Sequence, residues 1–163
     1  MLTFLVGTPR SGKSAWAEKY VNFEDDPEFI QPYKPRTLVN GDAVRFAVTG
    51  NRWNNDAELL THPIKLFMIK ALLATGHDVL VDDTHTSKYS IEQLWSIDPK
   101  ARFVIIDTDI VECKKRAMQT GHPELIPIID RTWPQFLNMK TYLLSHSKFL
   151  NYLGENNVYK SNC

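Results

Sequence analysis

Cysteine is nearly absent from this 163-residue chain, which holds only Cys113 and Cys163. Two thiols so far apart make neither a disulfide framework nor a zinc site, and a reducing cytoplasm is the expected setting. Long apolar runs are also missing, as is a basic stretch ahead of an apolar one near Met1, so no membrane-spanning or export segment is expected. An excess of charge of either sign is lacking too: 19 lysines and arginines balance 19 aspartates and glutamates. No net field draws the chain onto nucleic acid or an anionic membrane, and a polyanionic substrate would need a local basic patch. Repeats, low-complexity tracts and linker-like stretches do not occur, and the length suits one core, so a single domain over residues 1–163 is expected.

What the chain does have is one dense motif. Gly7-Thr8-Pro9-Arg10-Ser11-Gly12-Lys13-Ser14 satisfies G-x-x-x-x-G-K-[ST] at every specified position, between the apolar run Leu2 to Val6 and the helix-like stretch Ala15 to Val21. Strand, loop and helix in that order are the context this phosphate-binding loop requires. Glycines let consecutive backbone N–H groups turn inward around a polyphosphate, while the following helix directs its positive end at the anion. Gly7, Pro9, Arg10, Ser11, Gly12, Lys13, Ser14 and Ala15 are therefore the expected contacts to a nucleoside triphosphate, with Lys13 reaching its β- and γ-phosphates. Ser14 is expected to hold Mg²⁺, a metal that takes few protein ligands and keeps several waters. The loop leaves the destination of the phosphoryl group open, since GTPases, motors and small-molecule kinases all share it.

Downstream, apolar runs alternate with amphipathic stretches. Residues 22–36 carry three prolines and four acids without a period and read as a loop. Thr37-Leu38-Val39 reads as a short apolar strand, and Val79-Leu80-Val81 and Arg102 to Ile106 read as buried strands. Residues 42–48, 87–96, 109–119 and 126–136 read as helices, and 138–153 as a terminal helix. Residues 56–75 read as a crossover helix laying Leu59, Leu60, Ile64, Phe67, Met68, Ala71 and Leu72 against the sheet. Continuous apolar strands alternating with helices imply a three-layer α/β fold with a small central parallel sheet. The break Thr120-Gly121-His122-Pro123, flanked by basic residues, marks about 114–131 as a lid.

Four constellations bear on chemistry. Asp42 and Arg45, three apart on one helix face, suit a base for a hydroxyl and a fork for an anion, but also an N-cap with a surface ion pair. Asp82-Asp83-Thr84 closes an apolar strand where a metal-holding carboxylate is expected; Asp83 either serves Mg²⁺ or buttresses Arg45, or the pair caps the helix that follows. His85 beside them is a proton acceptor or a hydrogen-bonding bystander. Arg116 and Arg131 suit a closing flap that stabilises phosphoryl charge in the transition state, whereas Lys114 and Lys115 read as a solvated face. Arg52 and Trp53, among asparagines, form either a base-stacking platform or half-buried packing.

On these residues the chain resembles the phage and bacterial polynucleotide 5′-kinases within the P-loop kinases. The resemblance runs through Gly7 to Ser14, Asn40 to Arg45, Ala74-Thr75-Gly76, Val79 to Thr84, Phe103 to Arg116 and Pro127 to Arg131. It implies a kinase that moves the γ-phosphoryl group of ATP, with Mg²⁺, to a hydroxyl of a nucleic acid, most simply the 5′-OH of DNA or RNA. It makes Asp42 the general base and Arg45 the grip on an acceptor-strand phosphate, with Asp83 and Thr84 completing the acceptor site and Arg116 and Arg131 as lid arginines on the donor. It further implies a stand-alone enzyme of end processing, of phage origin and at work in the host cytoplasm. The chain departs from the family pattern at His85 and Ala117, where asparagine is usual, and at Lys88, Gln119 and Thr120, where arginines are. Two other readings stay open: transfer to another hydroxyl, as in hydroxymethyluracil DNA, a nucleoside, a sugar or an antibiotic, and a non-enzymatic nucleotide-dependent binding protein.

Overall fold

β-Branched and aromatic residues in short runs build the centre of the molecule, for which a computed structural model describes residues 1–22, 35–51 and 55–145. Strands β1 (Leu2–Val6), β2 (Arg36–Asn40), β3 (Asp78–Asp82) and β4 (Arg102–Ile105) pair in parallel in the order β2-β3-β1-β4. Parallel neighbours need crossovers, and α1 (Lys13–Val21), α2 (Gly41–Thr49) with α3 (Glu58–Ala74), and α4 (Lys88–Ile97) supply them, while α5 (Ile110–Gln119) and α6 (Ile126–Ser145) follow β4.

The period-two alternation of β1 divides the core into two layers. Leu2, Phe4 and Val6 face Ile69 of α3, Ile91 and Leu94 of α4, and Phe136, Met139 and Leu143 of α6. Leu5 faces the other way, onto Trp16, Ala17 and Tyr20 of α1. With β1 buried at every position, the sheet has helices on both faces, as the unbroken apolar runs require. The register sets Asn40 opposite Asp82, so polar residues cluster at the carboxyl ends of β2 and β3. Open parallel sheets bind ligands beyond those ends.

The structure departs from the periodicity in two places. Helix α3 forms as expected, but most of the stripe that was to face the sheet lies outward: Leu59 is 87% exposed, Phe67 72% and Leu60 57%, and of that stripe Leu72 packs inward. The buried side is Thr61 and Ile69, with Leu66, Leu72 and Leu73 packed against the core. An apolar rhythm identifies a helix but does not choose between two apolar faces, and here contacts to α2 and the end of β3 fix the rotation. Helix α6 runs unbroken from Ile126 to Ser145 through Pro134, so the stretch 126–136 and the start of 138–153 are one element. Proline removes one backbone bond and crowds the carbonyl four residues back, a cost the burial of Ile129, Phe136, Met139 and Leu143 outweighs. No helix among the described residues is long and apolar enough to cross a membrane.

Candidate functional site

The loop after β1 turns on two left-handed residues, Arg10 at φ 63° and Gly12 at φ 105°. The second angle strains any L side chain, which accounts for glycine immediately before α1. The Gly7 N–H donates to the Thr84 carbonyl and the Ser11 N–H to the Thr8 carbonyl, each at 3.2 Å. Lys13 is buried, and its ammonium donates back to the Thr8 carbonyl at 2.7 Å. Burial lowers its pKa to about 8, with Asp82 foremost among the groups opposing the shift. The adjacent Ser14 hydroxyl donates to the Asp82 carboxylate at 2.9 Å. Asn40 donates to the Asp82 carbonyl at 3.0 Å and to its carboxylate at 3.2 Å. Burial raises the Asp82 pKa in spite of Lys13 and Ser14.

The partner of Ser14 is thus Asp82, where the sequence pointed to Asp83. Alternation along β3 explains the exchange: Leu80 and Asp82 share the α1 side, while Val81 and Asp83 share the α3 side. Asp83 Oδ2 pairs with Lys65 of α3, and Oδ1 accepts the Gly41 N–H at 3.0 Å. Burial opposes ionisation of Asp83, yet the Lys65 ammonium first, and then the hydrogen bonds from Lys65 and the Gly41 N–H, hold its pKa below the ordinary carboxylate value. A Cβ on Gly41 would lie 2.5 Å from Asp83 Oδ1, so any side chain there would have to push the Asp83 carboxylate aside. Asp83 therefore ties the first residue of α2 to β3 and α3, while Arg45 pairs with Asp42 and Glu58.

Asn40 caps α2, its side chain accepting the Ala43 N–H at 2.9 Å. The helix does not use Asp42 as its cap, and that side chain is half exposed on the cleft wall. Arg45 Nη1 donates to Asp42 Oδ1 at 2.5 Å, and Arg45 Nε donates to Glu58 Oε1 at 2.6 Å. Burial works against the arginine's charge, but Glu58 and then Asp42 carry its pKa above the ordinary value. Helix α3 adds Glu58, Thr61, His62 and Lys65, all on the cleft wall. Thr61 is buried and its Oγ1 has no hydrogen-bond partner among the described residues, while His62 Nε2 pairs with Gln93 Oε1 at 2.8 Å. Sequence inspection passed over these four, although a polar i, i+3, i+4, i+7 spacing inside an apolar helix is the signal that marks them.

His85 is buried with φ 44°, and its Nδ1–H donates to the Leu5 carbonyl at 2.6 Å. A carbonyl only accepts, which fixes the tautomer, and burial lowers the pKa so that the ring stays neutral. Ser87 caps α4 through the Ser90 N–H, leaving Asp82 and Asp83 free of that task. On the far wall Arg116 donates to Glu112 at 2.9 Å and to the Ser11 carbonyl at 3.2 Å, which ties α5 to the phosphate-binding loop. Cys113, Ala117, Leu125 and Ile129 give α5 and α6 a small core of their own. Arg131 is exposed and lines the same cleft, whereas Lys114 pairs with Asp130 at 2.5 Å and Lys115 with Glu112 at 3.6 Å. One cleft of about 950 Å³ therefore joins Pro9, Arg10 and Gly12 to Ala15, the Asp42–Arg45 pair, Asp82 to Thr84, Arg116 and Arg131. Arg52 and Trp53 lie outside the described residues.

The donor side fits a polyphosphate with magnesium: a buried ammonium rests on its own loop, and a hydroxyl and carboxylate share one hydrogen bond that a cation would replace.

No protein-family model matches the sequence, and no curated protein does. Solved structures do match. A chain of the Pnkp1/Rnl/Hen1 RNA repair complex superposes with a TM-score of 0.69 at 21% identity, covering 86% of this chain and 45% of that one. A gluconokinase from Sinorhizobium meliloti 1021 gives 0.52 at 20% identity, covering 80% and 73%. The Mycobacterium tuberculosis APS kinase CysC, in complex with AMPPNP and APS, gives 0.53 at 17% identity, covering 71% and 68%. The shared feature is the three-layer P-loop kinase fold. This chain spans less than half the length of the RNA-repair-complex chains it matches.

Proposed function

We propose that the chain transfers the γ-phosphoryl group of ATP to a hydroxyl of a nucleic acid, most simply the 5′-OH of DNA or RNA. The observation that carries this reading is Asp42: a carboxylate that its own helix does not need as a cap, on the wall of the cleft that also holds Lys13. Lys13 and the loop amides would hold the β- and γ-phosphates, and Ser14 with Asp82 would hold Mg²⁺, which supplies charge neutralisation on the phosphate oxygens. Asp42 accepts the proton of the attacking hydroxyl; Arg45 holds an acceptor phosphate within reach of it; Arg116 and Arg131 face the charge that spreads over the transferred group. The likeness to a chain of an RNA repair complex supports a nucleic-acid acceptor.

One observation favours a second reading, transfer to an uncharged hydroxyl such as that of a nucleoside or sugar: Arg45 is already engaged by Asp42 and Glu58. A Mg²⁺-dependent assay with labelled ATP against 5′-OH oligonucleotides, hydroxymethylated duplex, nucleosides and sugars separates the two. Asp42→Asn is expected to lower kcat about 100-fold or more with ATP affinity and Tm nearly unchanged. Full activity in that variant leaves nucleotide binding without catalysis by Asp42.

A further inference from the structure

Arg45 presents its guanidinium to the cleft with both edges occupied. Nη1 contacts Asp42 of the same helix, while Nε and Nη2 both contact one oxygen, Oε1, of Glu58 from α3. The Nε and Nη2 pair is the edge on which a guanidinium takes a phosphate by two parallel bonds. The two partners differ in setting, for the Arg45 side chain is 17% exposed and that of Glu58 is 50%. Glu58 therefore exchanges Arg45 for water at small cost, whereas Arg45 stays at the wall.

We propose that Glu58 is a specificity gate for the acceptor, an internal anion that a phosphate beside the target hydroxyl must displace from Arg45. The gate rests on the reading of Arg45 as an acceptor contact. An acceptor with no phosphate next to its hydroxyl leaves the Arg45–Glu58 pair in place. Charge makes the same distinction. With Glu58 seated, Arg45 is flanked by two carboxylates, those of Asp42 and Glu58, and this local excess of negative charge opposes an incoming phosphate. Once Glu58 turns to solvent the remaining groups balance. Position in the fold keeps the swing local, because Glu58 is the first residue of α3 and its backbone stays in the helix as the side chain moves.

The test compares deoxythymidine 3′-monophosphate with deoxythymidine, by calorimetric titration with Mg²⁺ and a non-hydrolysable ATP analogue and as acceptors in the transfer assay. Wild type, Glu58→Gln, Glu58→Asp, Arg45→Ala and the Glu58→Gln/Arg45→Ala double variant are measured. Releasing a half-exposed ion pair is expected to lower Kd and KM for the monophosphate about two- to fivefold relative to the nucleoside. Glu58→Asp keeps the charge but loses reach, and is expected to shift the same ratio in the same direction by less. The shift should vanish when the double variant is set against Arg45→Ala. An unmoved ratio, a shift that survives loss of Arg45, or no binding of the monophosphate by any form overturns the gate. Tighter binding of the monophosphate without phosphoryl transfer upholds the gate and removes the kinase reading; transfer to both acceptors with an unmoved ratio does the reverse.

Discussion

Asp82 and Asp83 are adjacent carboxylates with opposite roles, and exchanging each in turn for asparagine separates them. The Asp83 charge favours the folded state, since its pKa lies below the ordinary value, and the Lys65 ammonium is the largest reason. A group with a lowered folded pKa contributes stability above its unfolded pKa and loses it as pH falls through the folded one, so at neutral pH that contribution is fully present. Removing one partner of a buried pair costs about 3–5 kcal/mol. Side-chain exposures of 16% for Lys65 and 22% for Asp83 allow water to reach both, which reduces the expected cost to about 2–3 kcal/mol. At about 2–4 °C per kcal/mol for a chain of this size, Asp83→Asn should lower Tm by about 5–10 °C. Asparagine still offers an oxygen to the Gly41 N–H, so α2 remains attached but less firmly, and kcat falls while half-saturation by Mg²⁺ holds. Asp82→Asn should do the converse. The Asp82 pKa is raised, so its charge opposes folding at neutral pH, and its loss leaves Tm level or higher. The Mg²⁺ requirement, by contrast, should rise steeply, because the carboxylate beside Ser14 is gone. Thermal melts and Mg²⁺ titrations of activity on both variants decide the matter. A raised Mg²⁺ requirement with unchanged Tm in Asp83→Asn would refute the assignment.

Helix propensity alone predicts that Gly41→Ala stabilises by up to about 1 kcal/mol. The Cβ would meet Asp83 Oδ1 at 2.5 Å, so a lower Tm and reduced kcat are expected instead, and a raised Tm contradicts the tether. Nucleotide affinity should be flat below pH about 8 and fall about tenfold per unit above it, as the phosphates need the Lys13 ammonium that burial discourages; fluorescent-ATP titration tests this, and a flat profile throughout rejects it. Thr61→Val removes a buried hydroxyl that has no partner among the described residues, so Tm should rise by the equivalent of about 1 kcal/mol. If the acceptor uses that hydroxyl, its KM rises in the same variant; a lowered Tm shows the group to be satisfied in the folded chain.

Local order was decided by the sequence itself. The phosphate-binding loop is contiguous, so Gly12 before α1, Lys13 and Ser14 could be placed before any packing was known, because their geometry depends on neighbours in the chain. The same holds for β1, β3 and β4: continuous apolar runs call for burial on both faces, and the parallel sheet follows, whereas β2 lies at its edge with Leu38 43% exposed. The stretch from Asn40 to Arg45 also announced itself, since an i, i+3 pair shares a helix face whatever surrounds it. Only tertiary structure determined which partner each side chain met. Which of Asp82 and Asp83 reaches Ser14 depends on the side of the sheet each faces at the end of β3, and neither composition nor spacing carries that information. Lys65 and Glu58 were hidden for the same reason, lying on a helix apolar on both faces whose rotation is set by long-range contacts with α2 and β3.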